Sequence, residues 1–192
     1  MYTKLLGEGK LYAALERIDV ELAAGVRAAG CRCGGALHSA DYPRKPRGGP
    51  VDLGARYEYR WSFCCATDGC RKRVTPPSVR FLGRKVYLGA VVVLASAMRQ
   101  GPTPTRVARL HELLGVGERT LRRWRKWWQQ IFCEGSFWRT AQARFMPPVA
   151  ATTLPLGLWE RFAGDEPDRL CSLLGFVAPI TTTTCPRLGE DF

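Results

Sequence analysis

Apolar side chains recur at Leu11, Leu15, Ile18, Leu22 and Val26, the spacing of one face of a helix running from about residue 10 to residue 29. Such a helix can cap a core or pair with a second copy. Residues 56–63 (Arg56, Tyr57, Glu58, Tyr59, Arg60, Trp61, Ser62, Phe63) alternate polar and aromatic positions with period two, which predicts a half-buried strand. Residues 71–75 predict a returning strand, stopped by Pro76 and Pro77. Residues 87–100 have the composition of a buried helix, ended by Gly101 and Pro102. A shorter helix follows over 106–114, started by Thr103, Pro104 and Thr105 and closed by Gly115; another begins near Glu118 and runs over 119–132. Beyond residue 135, Pro147, Pro148 and Pro155 cut the chain into short pieces, with helices expected at 156–162 and 168–176 and a loose tail over 181–192.

The expected fold is therefore α+β and mostly α. A small β module at 31–85 follows an N-terminal helix in 1–30, and a helical unit at 86–135 precedes short helices in 136–192.

Charge then narrows the partner. The chain of 192 residues carries a formal charge of +12, and the excess is not spread evenly. Residues 1–30 hold 4 basic and 4 acidic side chains, residues 31–130 hold 20 against 6, and residues 131–192 hold 5 against 7. A central segment of net +14 between nearly neutral ends is the footprint expected for a polyanion, because each cation near a phosphate releases condensed counterions. The apolar, uncharged run at residues 86–98 is 13 residues long, against the ~20 that a membrane-spanning helix needs. Acidic residues interleaved through the first 21 positions do not resemble a secretory signal, so the expected location is the cytoplasm.

In that compartment clustered cysteines point to a metal before a disulfide. Five of the eight cysteines fall in two tight groups: Cys31 and Cys33 beside Gly30, Gly34 and Gly35, and Cys64, Cys65 and Cys70. A tetrahedral four-thiolate zinc site built from Cys31, Cys33, Cys65 and Cys70, with Cys64 as the substitute, would pin the two groups together in place of a large core. The spacing departs from the usual two intervening residues: one lies between Cys31 and Cys33, and four between Cys65 and Cys70. His38 is left out of the ligand set. Cys133, Cys171 and Cys185 are widely spaced and read as packed thiols. Between the two groups, prolines and glycines at 41–49 forbid regular structure and leave Arg44, Lys45 and Arg47 on an extended tether, which reads equally as a solvated surface loop or as a contact to phosphate or a minor groove.

The helical unit carries the second set of candidate residues. Anchored on Gly115 as the turn glycine, Leu110, Leu114, Val116, Leu121 and Trp124 occupy the five apolar positions a helix-turn-helix needs. His111 stands where a small residue normally allows close helix contact. At about 100° per residue, Leu121, Trp124, Trp127, Trp128, Ile131 and Phe132 share one arc, which assigns the tryptophans to the core. The remaining arc holds Arg119, Arg122, Arg123, Arg125, Lys126, Gln129 and Gln130, with no acid between Glu118 and Glu134. Arg and Gln are also the side chains able to read guanine and adenine in the major groove, so Arg119, Arg122, Arg123, Lys126 and Gln129 are the expected DNA contacts.

The order of a Cys₄ ribbon, the segment Thr75, Pro76, Pro77, Ser78, Val79, Arg80, Phe81, Leu82, Gly83, Arg84, a hydrophobic helix and a helix-turn-helix resembles the N-terminal region of bacterial insertion-sequence transposases, over roughly residues 31–130. The resemblance implies binding of an element's terminal DNA by the ribbon and helix-turn-helix, with strand transfer left to a separate RNase-H-like domain. The 62 residues after Gln130 are fewer than such a domain needs.

Asp165, Glu166 and Asp168 precede an apolar helical run and read as a helix start, with an acidic cap and Pro167 in the first turn. No Ser-His-Asp, Walker or Rossmann signature is present. The expectation is a non-catalytic, sequence-selective DNA-binding protein with structural zinc, related or accessory to a transposase and partnered by duplex DNA, a transposase or a second copy. The alternatives are a divergent transposase or nuclease, and a ribbon scaffold for protein or RNA.

Overall fold

The computed structural model describes residues 4–44, 46–50, 53–83, 87–98 and 101–182. It is α+β and mostly helical, with 56% helix and 9% strand. Among the described residues a 3₁₀ turn (Leu5–Gly7) leads into helix α1 (Gly9–Ala29), which is followed by five short strands, β1 (Leu37–Ser39), β2 (Tyr42–Pro43), β3 (Tyr59–Arg60), β4 (Phe63–Cys65) and β5 (Arg73–Val74). Six helices complete it: α2 (Gly89–Ser96), α3 (Pro104–Leu114), α4 (Glu118–Lys126), α5 (Ser136–Ala141), α6 (Leu156–Trp159) and α7 (Glu166–Val177).

The strands form two antiparallel sheets. One has the order β1-β4-β5, with Leu37 opposite Cys65 and Phe63 opposite Val74; the other pairs Tyr42 with Arg60. The single strand expected over 56–63 is thus interrupted. Residues 55–58 form a 3₁₀ turn, and the chain changes sheets between Arg60 and Phe63, where the Ser62 amide donates to Asp41 at 2.8 Å. The alternation changes phase with it: Arg60 and Ser62 are buried, while Tyr59 is 47% exposed. The returning strand is shorter than expected, and the loop expected to lack regular structure supplies β2.

Two cores result. The larger gathers residues from Leu5 to Ile180, and α2, buried along its whole length, runs through it. Tyr87 and Leu88, expected inside that helix, instead make bridges to Arg47 and Phe81, so the helix starts at Gly89; residues 99 and 100 lie outside the described set. The smaller core holds Ala23, Cys31, Leu37, Phe63 and Cys65. Helix α1 belongs to both, with Leu11, Tyr12 and Leu15 in the larger and Ala23 in the smaller. Between them, on the buried stripe of α1, sits Asp19.

Asp19 is the anchor for residues 75–82, seven of which are nearly closed to solvent, with Pro77 half-buried. Its carboxylate accepts from the Arg80 guanidinium at 2.7 Å, the Ser78 hydroxyl at 2.6 Å and the Val79 amide at 2.7 Å. Arg80 also donates to the carbonyls of Arg56 and Tyr59, and lies over the rings of Tyr57 and Phe81. A buried charge needs such complete pairing, because its desolvation otherwise outweighs the attraction.

Beyond residue 135 the chain adds α5, which the sequence did not predict; α6 is only four residues long, and α7 begins at Glu166. Asp165 caps α7 by accepting from the Asp168 amide at 3.0 Å, with Pro167 in the first turn, as the acidic helix start predicts.

Candidate metal centre and nucleic-acid interface

The two cysteine groups meet where α1 ends and β4 turns toward β5. Gly30 closes α1, and Cys31 to Gly35 form a tight turn in which the Gly34 amide donates to the Cys31 carbonyl at 2.8 Å and the Cys31 amide to the Gly35 carbonyl at 2.9 Å. The second turn, Thr67 to Cys70, is closed by the Cys70 amide on the Thr67 carbonyl at 3.1 Å.

The four sulfurs of Cys31, Cys33, Cys65 and Cys70 lie within 4.8 Å of one another. The sulfurs of Cys31 and Cys70 are 3.7 Å apart and those of Cys33 and Cys65 3.5 Å. Tetrahedral thiolate bonds of about 2.3 Å set sulfurs about 3.8 Å apart, so this cluster has the size to hold a metal ion. Among the described residues it is the one group of potential ligands of this kind.

Register settles the choice between adjacent cysteines. Side chains alternate across β4, and Cys64 faces away from the cluster, within 3.4 Å of the Arg71 carbonyl. His38, opposite Cys64, is exposed and outside the cluster. Gly35 has no room for a side chain: a Cβ there would stand 2.9 Å from the Cys65 sulfur and 2.1 Å from the Thr67 hydroxyl.

The cluster divides its protons unevenly. Hydrogen bonds from the Gly35 amide and the neighbouring thiols pull Cys33 down to about 6. For Cys70 the Lys72 amide acts to lower the value, but the other thiols and burial prevail and push it up to about 11.

The second candidate surface is built from α3, a three-residue turn and α4. The Thr103 hydroxyl caps α3 by accepting from the Arg106 amide at 3.4 Å, and Pro104 takes the first position. Gly115 ends the helix at φ 64°, a left-handed conformation that favours glycine. Val116, fully buried, plugs the turn. Of the five expected apolar positions, Leu110, Val116, Leu121 and Trp124 are buried, and Leu114 is half-buried. His111 is exposed, on a groove between the helices lined by Pro104, Val107, Gly117 and Glu118.

Helix α4 continues past Lys126 through a π-helical turn, Trp127–Phe132. The wider turn keeps Trp127, Trp128 and Phe132 all inside the core, packed on one another with ring centres 4.7–5.6 Å apart. The tryptophans are core residues, as their arc predicts.

On the other face Arg119, Arg122, Arg123 and Lys126 are exposed. Arg122 pairs with Glu118 at 2.6 Å. Gln129 is half-buried and donates to the Thr152 carbonyl at 2.7 Å, so its amide fastens the C-terminal segment. Arg125 turns inward, where burial lowers its pKa, and donates to the Met98 and Ser96 carbonyls at 3.2 and 3.5 Å; Arg106 donates to Ala97 at 3.2 Å. Both helices are thereby tied to the C-terminal end of α2.

In the basic loop, Arg44 is half-buried, donating to the Gly83 carbonyl at 3.1 Å and lying over Phe81, whereas Arg47 is exposed. Lys45 and Cys185 lie outside the described residues.

Sequence reasoning missed three residues that place this surface: Asp19, Tyr87 and Arg125. The signal for Asp19 was an acid at four-residue spacing between Leu15 and Ala23, on the helix's own apolar stripe. Comparison with protein-family models, curated proteins and solved structures finds no match to the chain. No described helix is long and apolar enough to cross a membrane.

Proposed function

We propose that this chain is a non-catalytic, sequence-selective binder of duplex DNA, related or accessory to a transposase and working in the cytoplasm. The observation that carries the reading is the exposed row Arg119, Arg122, Arg123 and Lys126 on the helix after a left-handed glycine turn. Four cations on one rigid helix can meet phosphates, and arginines reaching the groove can pair with guanine. The ion held by Cys31, Cys33, Cys65 and Cys70 is zinc in this reading. Four thiolates with no open position suit a structural site, whose binding energy is folding energy. A transposase or a second copy is the protein partner in this reading.

The test is affinity for duplex DNA as a function of salt, with the zinc content of the same sample. The reading expects log affinity to fall linearly with log salt, with a slope that reports the phosphates contacted. It is overturned if duplex binding is absent, or if single-stranded RNA is bound in preference to the duplex.

A further inference from the structure

The basic loop is not a tether but a fixed part of the helical surface, and Tyr87 is what fixes it. The backbone of Tyr87 pairs in parallel with Arg47, and the Leu88 amide donates to the Arg47 carbonyl at 3.1 Å. The Tyr87 ring stands edge-on against Trp124 of α4, 5.1 Å between centres, while its hydroxyl donates to the Gly115 carbonyl at 3.3 Å. One side chain therefore touches the turn and α4 from a backbone joined to the loop. Gly48, at φ 84°, lies so close that a Cβ would meet Val91 at 3.0 Å and Tyr87 at 3.2 Å. Arg47, exposed, points no hydrogen bond or ion pair at any described residue.

We infer that Arg47 is a minor-groove reader, held at a set distance from α4 so that it enters the groove next to the one α4 occupies. The inference rests on the duplex-binding reading above. The chain of contacts through Tyr87 places the Arg47 backbone within roughly 15 Å of the Gly115 carbonyl. Adjacent major and minor grooves are offset by about half of the ~34 Å helical repeat, ~17 Å, a separation that such a spacing and an extended arginine can together span. The ligand it fits is a narrow A·T-rich minor groove. Such a groove concentrates negative potential and lacks the guanine amino group that would obstruct the guanidinium.

The experiment uses the full chain loaded with zinc and a preferred site selected from a randomised duplex library. The base pairs flanking that site are then made A·T, G·C or inosine·C. Inosine·C keeps the major-groove face of G·C but removes the minor-groove amino group. The expected result is that wild type binds A·T and inosine·C flanks at least about fivefold more tightly than G·C, and that Arg47→Ala abolishes the difference. Arg123→Ala weakens all three equally. The inference is overturned if Arg47→Ala weakens all three flanks alike, which marks a phosphate contact, or if wild type shows no flank preference. A library that enriches no sequence, from a protein with no affinity for duplex, overturns the DNA reading as well, so the two failures are distinguishable.

Discussion

Asp19 and Arg80, 61 positions apart, form an ion pair from which solvent is wholly excluded, with 2.7 Å between oxygen and nitrogen. It lies where α1 passes from the larger core to the smaller. Asp19→Asn leaves Arg80 a buried charge without its counter-ion. The expected cost is about 3–5 kcal/mol, the range for breaking one side of a buried pair. Urea denaturation should show the loss in the midpoint. Arg80→Lys should also destabilise, because an ammonium cannot reach the Arg56 and Tyr59 carbonyls in the same fork.

The cluster geometry separates neighbouring cysteines. Cys65→Ser should abolish stoichiometric metal binding and, through the shared helix α1, destabilise the whole fold, whereas Cys64→Ser should keep a full complement of metal. Metal analysis of the two purified variants, with a chelator titration followed by circular dichroism, checks this. Loss of metal from Cys64→Ser would refute the assignment.

Arg122 is held by Glu118, an ion pair open to solvent on both sides. Glu118→Gln should therefore tighten duplex binding, since it frees Arg122 and removes a repelling charge. Arg123→Ala should reduce the salt slope by about 0.9 if the side chain meets one phosphate. Fluorescence anisotropy across a salt series measures both effects.

Two residues of α4 should behave otherwise. Trp124 is buried with the Tyr87 ring edge-on against it, and Trp124→Ala should cost about 3–5 kcal/mol through the cavity it leaves. Arg125→Ala strips donors from the Met98 and Ser96 carbonyls, with an expected cost of about 1–3 kcal/mol. Because the Arg125 guanidinium faces α2, its loss should lower thermal stability without changing the salt slope. A drop in slope by ~0.9 would show that Arg125 meets phosphate after all.

Elements set by local chemistry were legible in the sequence. Thr103, Pro104 and Gly115 mark the ends of α3 by capping, proline geometry and left-handed backbone, and all three act within a few residues of themselves. The four cysteines were legible because thiols of that density have few other uses. What was not legible depends on partners distant in the chain. Arg60 and Ser62 occupy inward positions that the aromatic alternation assigned to Tyr59 and Trp61, because the Pro76 carbonyl accepts from the Arg60 guanidinium and the Ser62 hydroxyl accepts from Arg73 there. Arg125 looks like any other cation on a polar arc until the end of α2 arrives beneath it. Gln129 looks like a base reader until Thr152 takes its amide.

Helix α1 lends its first turns to one core and its last turns to the other, and leads directly into Cys31. A single rigid rod shared in this way leaves neither core able to melt alone. Heating should therefore show one cooperative transition, with calorimetric and van't Hoff enthalpies in agreement. Cutting the chain just before Cys31 would not yield a transplantable metal-binding cassette, because the wall of its core stays behind with the severed helix.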